Sequence, residues 1–431
     1  MSALFVFREY RGEYQRIGCL EGELGSTTFA YDNAYLDADG ACSVSANLPL
    51  QEHVFDERRT AAFFNGLIPE GSMRRDIETA ARAERGDYLK VLEALRNEPV
   101  GALLFSDQPE IAGLQRAYEP VSGDSLADFA RNAGSVGLDL TLGSRISLAG
   151  AQLKVGLYHV DGPADAGWYA PRGAAPSTHI VKACAAAYPD ETVCEAICMR
   201  AAALMDLEPA ACFLIDAGAA EPLIAIERYD RLMPEDGTGR TVDDKPVPMR
   251  LHQEDMCQAL GVPSGLKYEP SQVNYLNMMS DVLLRESSAF GEDRLMLAYC
   301  QLFDYLVGNC DNHLKNWSML WDENWFAKHL APLYDVVNTT LYPNLLREMG
   351  VSFGGSRVID DVRRDDVLRR LVSCGIDRQI AEYMISDVTG EVVSALERAT
   401  SHLMEEGFPV AERVLERILP GVRERVARIA G

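Results

Sequence analysis

What most constrains the fold of this chain is a change of texture part-way along its 431 residues. Short apolar runs broken by turn residues fill the first half, and helical periodicity dominates after His252. The runs that read as strands include Leu4 to Phe7, Arg16 to Leu20, Thr28 to Tyr31 and Ser43 to Ser45. Further on, Ile146 to Tyr158 reads as strand, small-residue turn, strand, and Thr178 to Lys182, Ala211 to Ile215 and Pro222 to Tyr229 read as single strands. Helical stretches interrupt them from Glu57 to Arg85 and from about Glu191 to Leu207, and Met233 to Pro248 reads as an exposed loop or hairpin. The order predicts an α+β chain in three parts: an N-terminal α+β unit over 1–106, a strand-rich part over 107–232 and a mostly helical part over 233–431.

Charge narrows the partners. A formal net charge of −24 argues against the chain alone gripping nucleic acid, because that affinity comes from cationic surface releasing counterions. A basic partner protein is easier to accommodate. The ten cysteines include no CxxC pair and fall mostly in apolar runs, which argues against zinc and suits a reducing cytoplasm. Charge already at Arg8, and the absence of any apolar run of about 18 residues, point to neither export nor membrane insertion.

The chemistry concentrates in two segments, Gly308 to Asn316 and Leu333 to Val337. Asp311, Asn316 five positions later and Asp335 downstream form the spacing that phosphoryl transfer requires, with the first Asp orienting a hydroxyl and the other two residues holding Mg²⁺. Gly308 and Asn309 are expected to stop an apolar helix, and Asp335 to sit in an apolar, strand-like segment where burial would demand a partner. The bland alternative for 308–316 is a solvated polar turn. Lys182 closes a β-branched strand, as a phosphate-contacting lysine does, or is simply a surface lysine. Glu191 and Glu195 on the following helix are its candidate ionic partners. Ser147 to Lys154 lacks a GxGxxG motif, yet its small residues would let backbone N–H groups approach phosphates. Glu227 to Arg231 follows a strand where a hinge would pass an adenine, although such charge runs are usually surface loops. GxSxG, HExxH and GxxxxGK[ST] are all absent.

Taken in order, these segments resemble the HipA family of bacterial serine/threonine kinases, the toxins of toxin–antitoxin pairs. The resemblance runs through Phe29 to Asp32 with Tyr35-Leu36, Phe63 to Gly71, Ser147 to Lys154, Thr178 to Lys182, Glu227 to Arg231, Leu251 to Gln258, Asn309 to Asn316 and Pro332 to Asp335. It implies a bilobal, protein-kinase-like fold and ATP and Mg²⁺ as cofactors. In that likeness Asp311 is the catalytic base, Asn316 and Asp335 bind Mg²⁺, and Lys182 holds ATP phosphates. The loop residues Ser147, Ala149, Gly150, Ala151, Gln152 and Lys154 surround the nucleotide. Glu227 and Tyr229 line the adenine site, with Gln253, His313 and Tyr334 nearby.

The resemblance also implies that Ser147 is an autophosphorylation site. A dianion there would repel ATP phosphates and shut the kinase off. Cys194-Glu195 stands where the family often has Asn-Glu, which weakens the assignment of Glu195 as the Lys182 partner. The family's N-terminal subdomain helps contact a helix-turn-helix antitoxin of the HipB type, so DNA would be reached only through that partner. Family members phosphorylate proteins such as aminoacyl-tRNA synthetases. Two other readings stay open: a small-molecule, aminoglycoside-like phosphotransferase, and an inactive nucleotide-binding co-repressor scaffold.

Overall fold

The computed structural model describes residues 2–10, 13–95, 100–111, 113–131, 154–160, 162–235 and 239–430. They fall into two compact units, each assembled from separate stretches of chain. One comprises Met1–Ala185, Ile215–Ser264 and Leu320–Lys328, and the other Ala186–Leu214, Gly265–Met319 and His329–Gly431.

Among the described residues the first unit carries two larger antiparallel sheets and smaller two-stranded ones. In one, β1 (Ser2–Tyr10), β2 (Glu13–Gly22), β3 (Thr28–Tyr31) and β4 (Leu103–Ser106) take the order β3-β2-β1-β4. Alternation along β1 and β2 turns Leu4, Val6 and Leu20 to one buried face, with Ile17 buried at the bulge beside them, and helix α1 (Glu57–Phe64) supplies Phe63 and Phe64 to the core. Phe29 and Phe64 pack with ring centroids 5.0 Å apart. Asp56 caps α1 by accepting the Arg59 N–H at 3.0 Å. Ser43 to Ser45, expected as a strand, forms only an isolated bridge between Ser45 and Leu48.

Within the second, larger sheet the strands β5 (Arg116–Pro120), β6 (Lys154–His159), β7 (Trp168–Gly173), β8 (His179–Lys182) and β9 (Leu223–Glu227) of this unit follow one another in the order β5-β7-β6-β8-β9, and Cys212–Ile215 adds a sixth strand at the β9 edge. The segment expected as loop or hairpin is a hairpin of Thr241–Val242 and Lys245–Pro246. Its turn residues Asp243 and Asp244 both have positive φ, 51° and 61°, as a two-residue hairpin turn demands.

The second unit is helical. Helix α2 (Glu191–Ala203) is buried on nearly all sides, and α3 (Tyr275–Glu286), α4 (Phe290–Val307), α5 (Arg364–Ser373), α6 (Arg378–Glu405) and α7 (Val410–Ile429) complete the set used below. The long α6 packs on α2, α4, α5 and α7, so one helix organises the core. Helix α2 ends at Ala203, short of the expected Leu207. Beyond it Asp206 and Glu208 adopt φ of 55° and 48°, outside helical geometry. Among the described residues no helix is long and apolar enough to cross a membrane.

Candidate active site

Helix α4 delivers the acidic loop of the second unit. Gly308 caps it with φ 89°, and its N–H returns to the Asp304 and Tyr305 carbonyls at 3.1 and 3.2 Å. Only glycine fits here, because a Cβ would lie 2.6 Å from Arg425 Nη2 and 2.8 Å from Thr340 Oγ1. The polar run that follows is not a solvated turn. Asn309, Asn312, His313, Lys315 and Asn316 are all at most 7% exposed, whereas Asp311 is exposed.

Each buried polar group in this loop holds the next. Asn309 Nδ2 donates to Asp304 Oδ1 at 2.8 Å, and Asn309 Oδ1 accepts the Asp311 N–H at 3.1 Å. Asn312 bridges Gln301 Oε1 and the Val351 N–H. Asn316 Nδ2 donates to the Asp311 carbonyl at 2.9 Å, which leaves its carboxamide oxygen as the atom a hard cation takes. Tyr334 stitches the second acidic segment to the loop. Its hydroxyl donates to the Lys315 carbonyl at 2.8 Å and lies 2.8 Å from Ser318 Oγ.

Asp335 departs from expectation. Leu333 to Val337 forms no strand, only a single bridge from Leu333 to Pro209, and Asp335 takes φ 62°. A non-glycine residue held there stores of order 1–3 kcal/mol of strain, a cost that clusters at functional positions. Asp335 is close enough to Asp304 to raise its carboxyl. Burial is the larger cause, and together they push Asp304 up to about 7 against hydrogen bonds from Asn309 and Asn312 that favour the charged form. Asp335 offers a carboxylate and Asn316 a carboxamide oxygen, and oxygen donors of this kind are what Mg²⁺ accepts.

Two residues that sequence reasoning missed belong to this cluster. Asp304 is one; an acid inside the apolar run Leu302 to Val307 was the available signal. Tyr268 is the other, and its hydroxyl donates to Asp311 Oδ1 at 2.5 Å while its ring meets His313 edge-on at 5.1 Å. No local pattern marks it.

The remaining candidates with described coordinates are divided between the units. Glu195 lies on α2 in the second unit, fully buried. Lys154, Lys182, Glu227, Tyr229 and Gln253 belong to the first unit. Lys182 is no surface lysine, being 3% exposed, and the antiparallel register sets it opposite Lys154, so both side chains leave one face of the sheet.

The charged run Glu227 to Arg231 also differs from a surface loop. Arg228 grips Asp230 through two bonds of 2.9 and 2.8 Å, Arg231 approaches the same carboxylate at 2.9 Å, and the Gly101 N–H donates to it at 2.9 Å. Although burial opposes ionisation, the two guanidinium groups hold the Asp230 carboxyl well below the usual carboxylate range. Gln253 Nε2 joins Asp230 at 3.0 Å and its Oε1 accepts the Tyr229 hydroxyl at 2.6 Å, fixing both side chains. Ser147, Ala149, Gly150, Ala151 and Gln152 lie outside the described residues.

Residues 146–396 match the HipA-like C-terminal domain, and residues 12–106 match the HipA N-terminal domain. The chain belongs to the HipA family. Y4mE of Sinorhizobium fredii, named as a candidate kinase, is 33% identical over 394 residues, covering 88% of this chain and 89% of Y4mE. The serine/threonine-protein kinase toxin HipA of Shewanella oneidensis is 24% identical over 350 residues, 78% of this chain and 76% of that protein. A solved Shewanella oneidensis MR-1 complex of HipA, HipB and operator DNA contains a chain of similar fold, with a TM-score of 0.78 at 18% identity over 99% of both chains. The mixed helix-and-sheet architecture is therefore that of a HipA protein, and kinase character holds at the level of the family.

Proposed function

We propose that this HipA-family chain is an ATP-dependent protein serine/threonine kinase of the toxin type, with 107–232 as its nucleotide lobe, 233–431 as its helical catalytic lobe and 1–106 as the N-terminal subdomain. The observation that carries the reading is the tie from Asn316 Nδ2 to the Asp311 carbonyl, which presents one exposed carboxylate from an otherwise buried loop while aiming the carboxamide oxygen elsewhere. Asp311 accepts the proton of a serine or threonine hydroxyl as that oxygen bonds to the γ-phosphorus and the bond to the β,γ-bridging oxygen breaks, releasing ADP. Asn316 and Asp335 hold Mg²⁺, which when bound neutralises phosphate charge.

Lys182 and Lys154 supply positive charge for the phosphates, assisted by backbone N–H groups of Ser147, Ala149, Gly150, Ala151 and Gln152. Glu227 and Tyr229 flank the adenine, with Gln253, His313 and Tyr334 supporting the pocket, and Glu195 is the acid that the family likeness offers as a partner for Lys182. Phosphorylation of Ser147 switches the enzyme off by placing a dianion at the phosphate site. The partner is a basic, DNA-binding antitoxin of the HipB type, complementary to a net charge of −24. The substrate is a cytoplasmic, translation-related protein such as an aminoacyl-tRNA synthetase. Incubation of the purified chain with labelled ATP, Mg²⁺ and a host lysate tests this. A discrete labelled protein supports the reading, and label confined to small alcohols would replace it with a small-molecule phosphotransferase.

A further inference from the structure

We propose that Tyr268 is a gate on the acceptor side: its phenol occupies the place on Asp311 that an incoming serine or threonine hydroxyl takes, and it swings aside for transfer. The inference rests on Asp311 being the catalytic base. The phenolic O–H donates to Asp311 Oδ1 at 2.5 Å, the geometry expected of a substrate hydroxyl about to surrender its proton. An alcohol donor already sits where the reacting alcohol belongs.

Three observations make the phenol movable and the rest of its surroundings fixed. Tyr268 is 47% exposed, so its ring has solvent to enter. Its backbone neighbours are tied down: the Leu314 N–H donates to the Lys267 carbonyl at 3.1 Å, and the Glu269 N–H donates to the Gly350 carbonyl at 2.9 Å. Glu269 is held further, by the Tyr275 N–H at 2.8 Å, by Ser352 and by Arg357 at its carbonyl. With the main chain clamped on both sides, rotation of the side chain is the freedom left, and no loop has to move. Asp311 is also the exposed side chain among buried neighbours, so an acceptor meets the carboxylate where the phenol covers it.

A competing donor raises the acceptor concentration needed without altering the chemical step once the acceptor is seated. Displacing one charge-assisted hydrogen bond at an exposed site corresponds to about tenfold in an equilibrium constant. The test is the Tyr268→Phe variant of the full chain, assayed with Mg-ATP and dephosphorylated casein as the serine-bearing probe, alongside ATP hydrolysis with water as acceptor. The gate predicts a casein KM about tenfold lower, an unchanged KM for ATP, an unchanged kcat and faster hydrolysis. A fall in kcat with KM unmoved would show that the phenol positions Asp311 rather than blocks it, and would overturn the gate. Unchanged kinetics would overturn it too. Failure of the kinase reading looks different: wild type and variant would both lack transfer and hydrolysis.

Discussion

Replacing Asp304 with Asn should abolish a pH dependence of stability whose size follows from the structure. Asp304 is 2% exposed, and its carboxyl is pushed from the ordinary 3.8 up to about 7, first by burial and additionally by the Asp335 charge. A carboxyl with a raised folded-state pKa binds its proton more tightly when folded than when unfolded. Its contribution is therefore fully present below about pH 4 and is lost as pH rises through about 7. Between pH 5 and 8 this single group removes roughly 2–3 kcal/mol of stability. Asn cannot ionise, yet it retains an oxygen to accept the 2.8 Å bond from Asn309 Nδ2. Urea unfolding of both proteins at pH 5 and 8, in EDTA, reads the difference. The wild type should lose about 2–3 kcal/mol relative to Asp304→Asn over that interval. Parallel curves would show that Asp304 is not held in a site that penalises its charge.

Gly308→Ala forces a Cβ to 2.6 Å from the buried Arg425 at a φ of 89°, so the midpoint of thermal unfolding should fall, by about 2 kcal/mol or more in stability. An unchanged midpoint would mean that the α4 cap is not as tight as described. Ser147→Ala should remove phosphate from the peptide containing residue 147 while leaving transfer to protein acceptors intact, as read by phosphopeptide mapping. Persistent labelling of that peptide elsewhere, with slow transfer, would contradict autoregulation through Ser147.

Much of the candidate site was legible because its logic is local. Gly308 ends an apolar helical run, and Asp311 and Asn316 are close enough in sequence for their spacing to report a single bent loop. Lys182 was legible as a strand-end residue, although its burial was not. Features that depend on chain returns escaped. Tyr268 reaches Asp311 from 43 residues away, through a pairing of Lys267 with Leu314 that no periodicity announces.

The run Glu227 to Arg231 looked like solvated surface because composition counts charges and cannot show that Arg228, Asp230 and Arg231 neutralise one another below it. Leu333 to Val337 looked like a strand because its apolar residues fit one; the left-handed backbone at Asp335 is a cost that propensity cannot see. In the fold, β1, β2, β3, β6, β8 and β9 were visible as apolar runs, whereas β4, β5 and β7 lie outside the runs that read as strands, and α2 stops at Ala203 although the apolar pattern continues to Leu207.

In the proposed mechanism Asp311 takes the acceptor's proton in phosphoryl transfer from ATP. Incorporation of labelled γ-phosphate by the purified wild type and by Asp311→Gln, each shown folded by circular dichroism and a cooperative melt, tests it most directly. Steady incorporation by the wild type and a loss of about 100-fold or more in the variant are expected, on the order of general-base removal. Equal incorporation by the two proteins would contradict it.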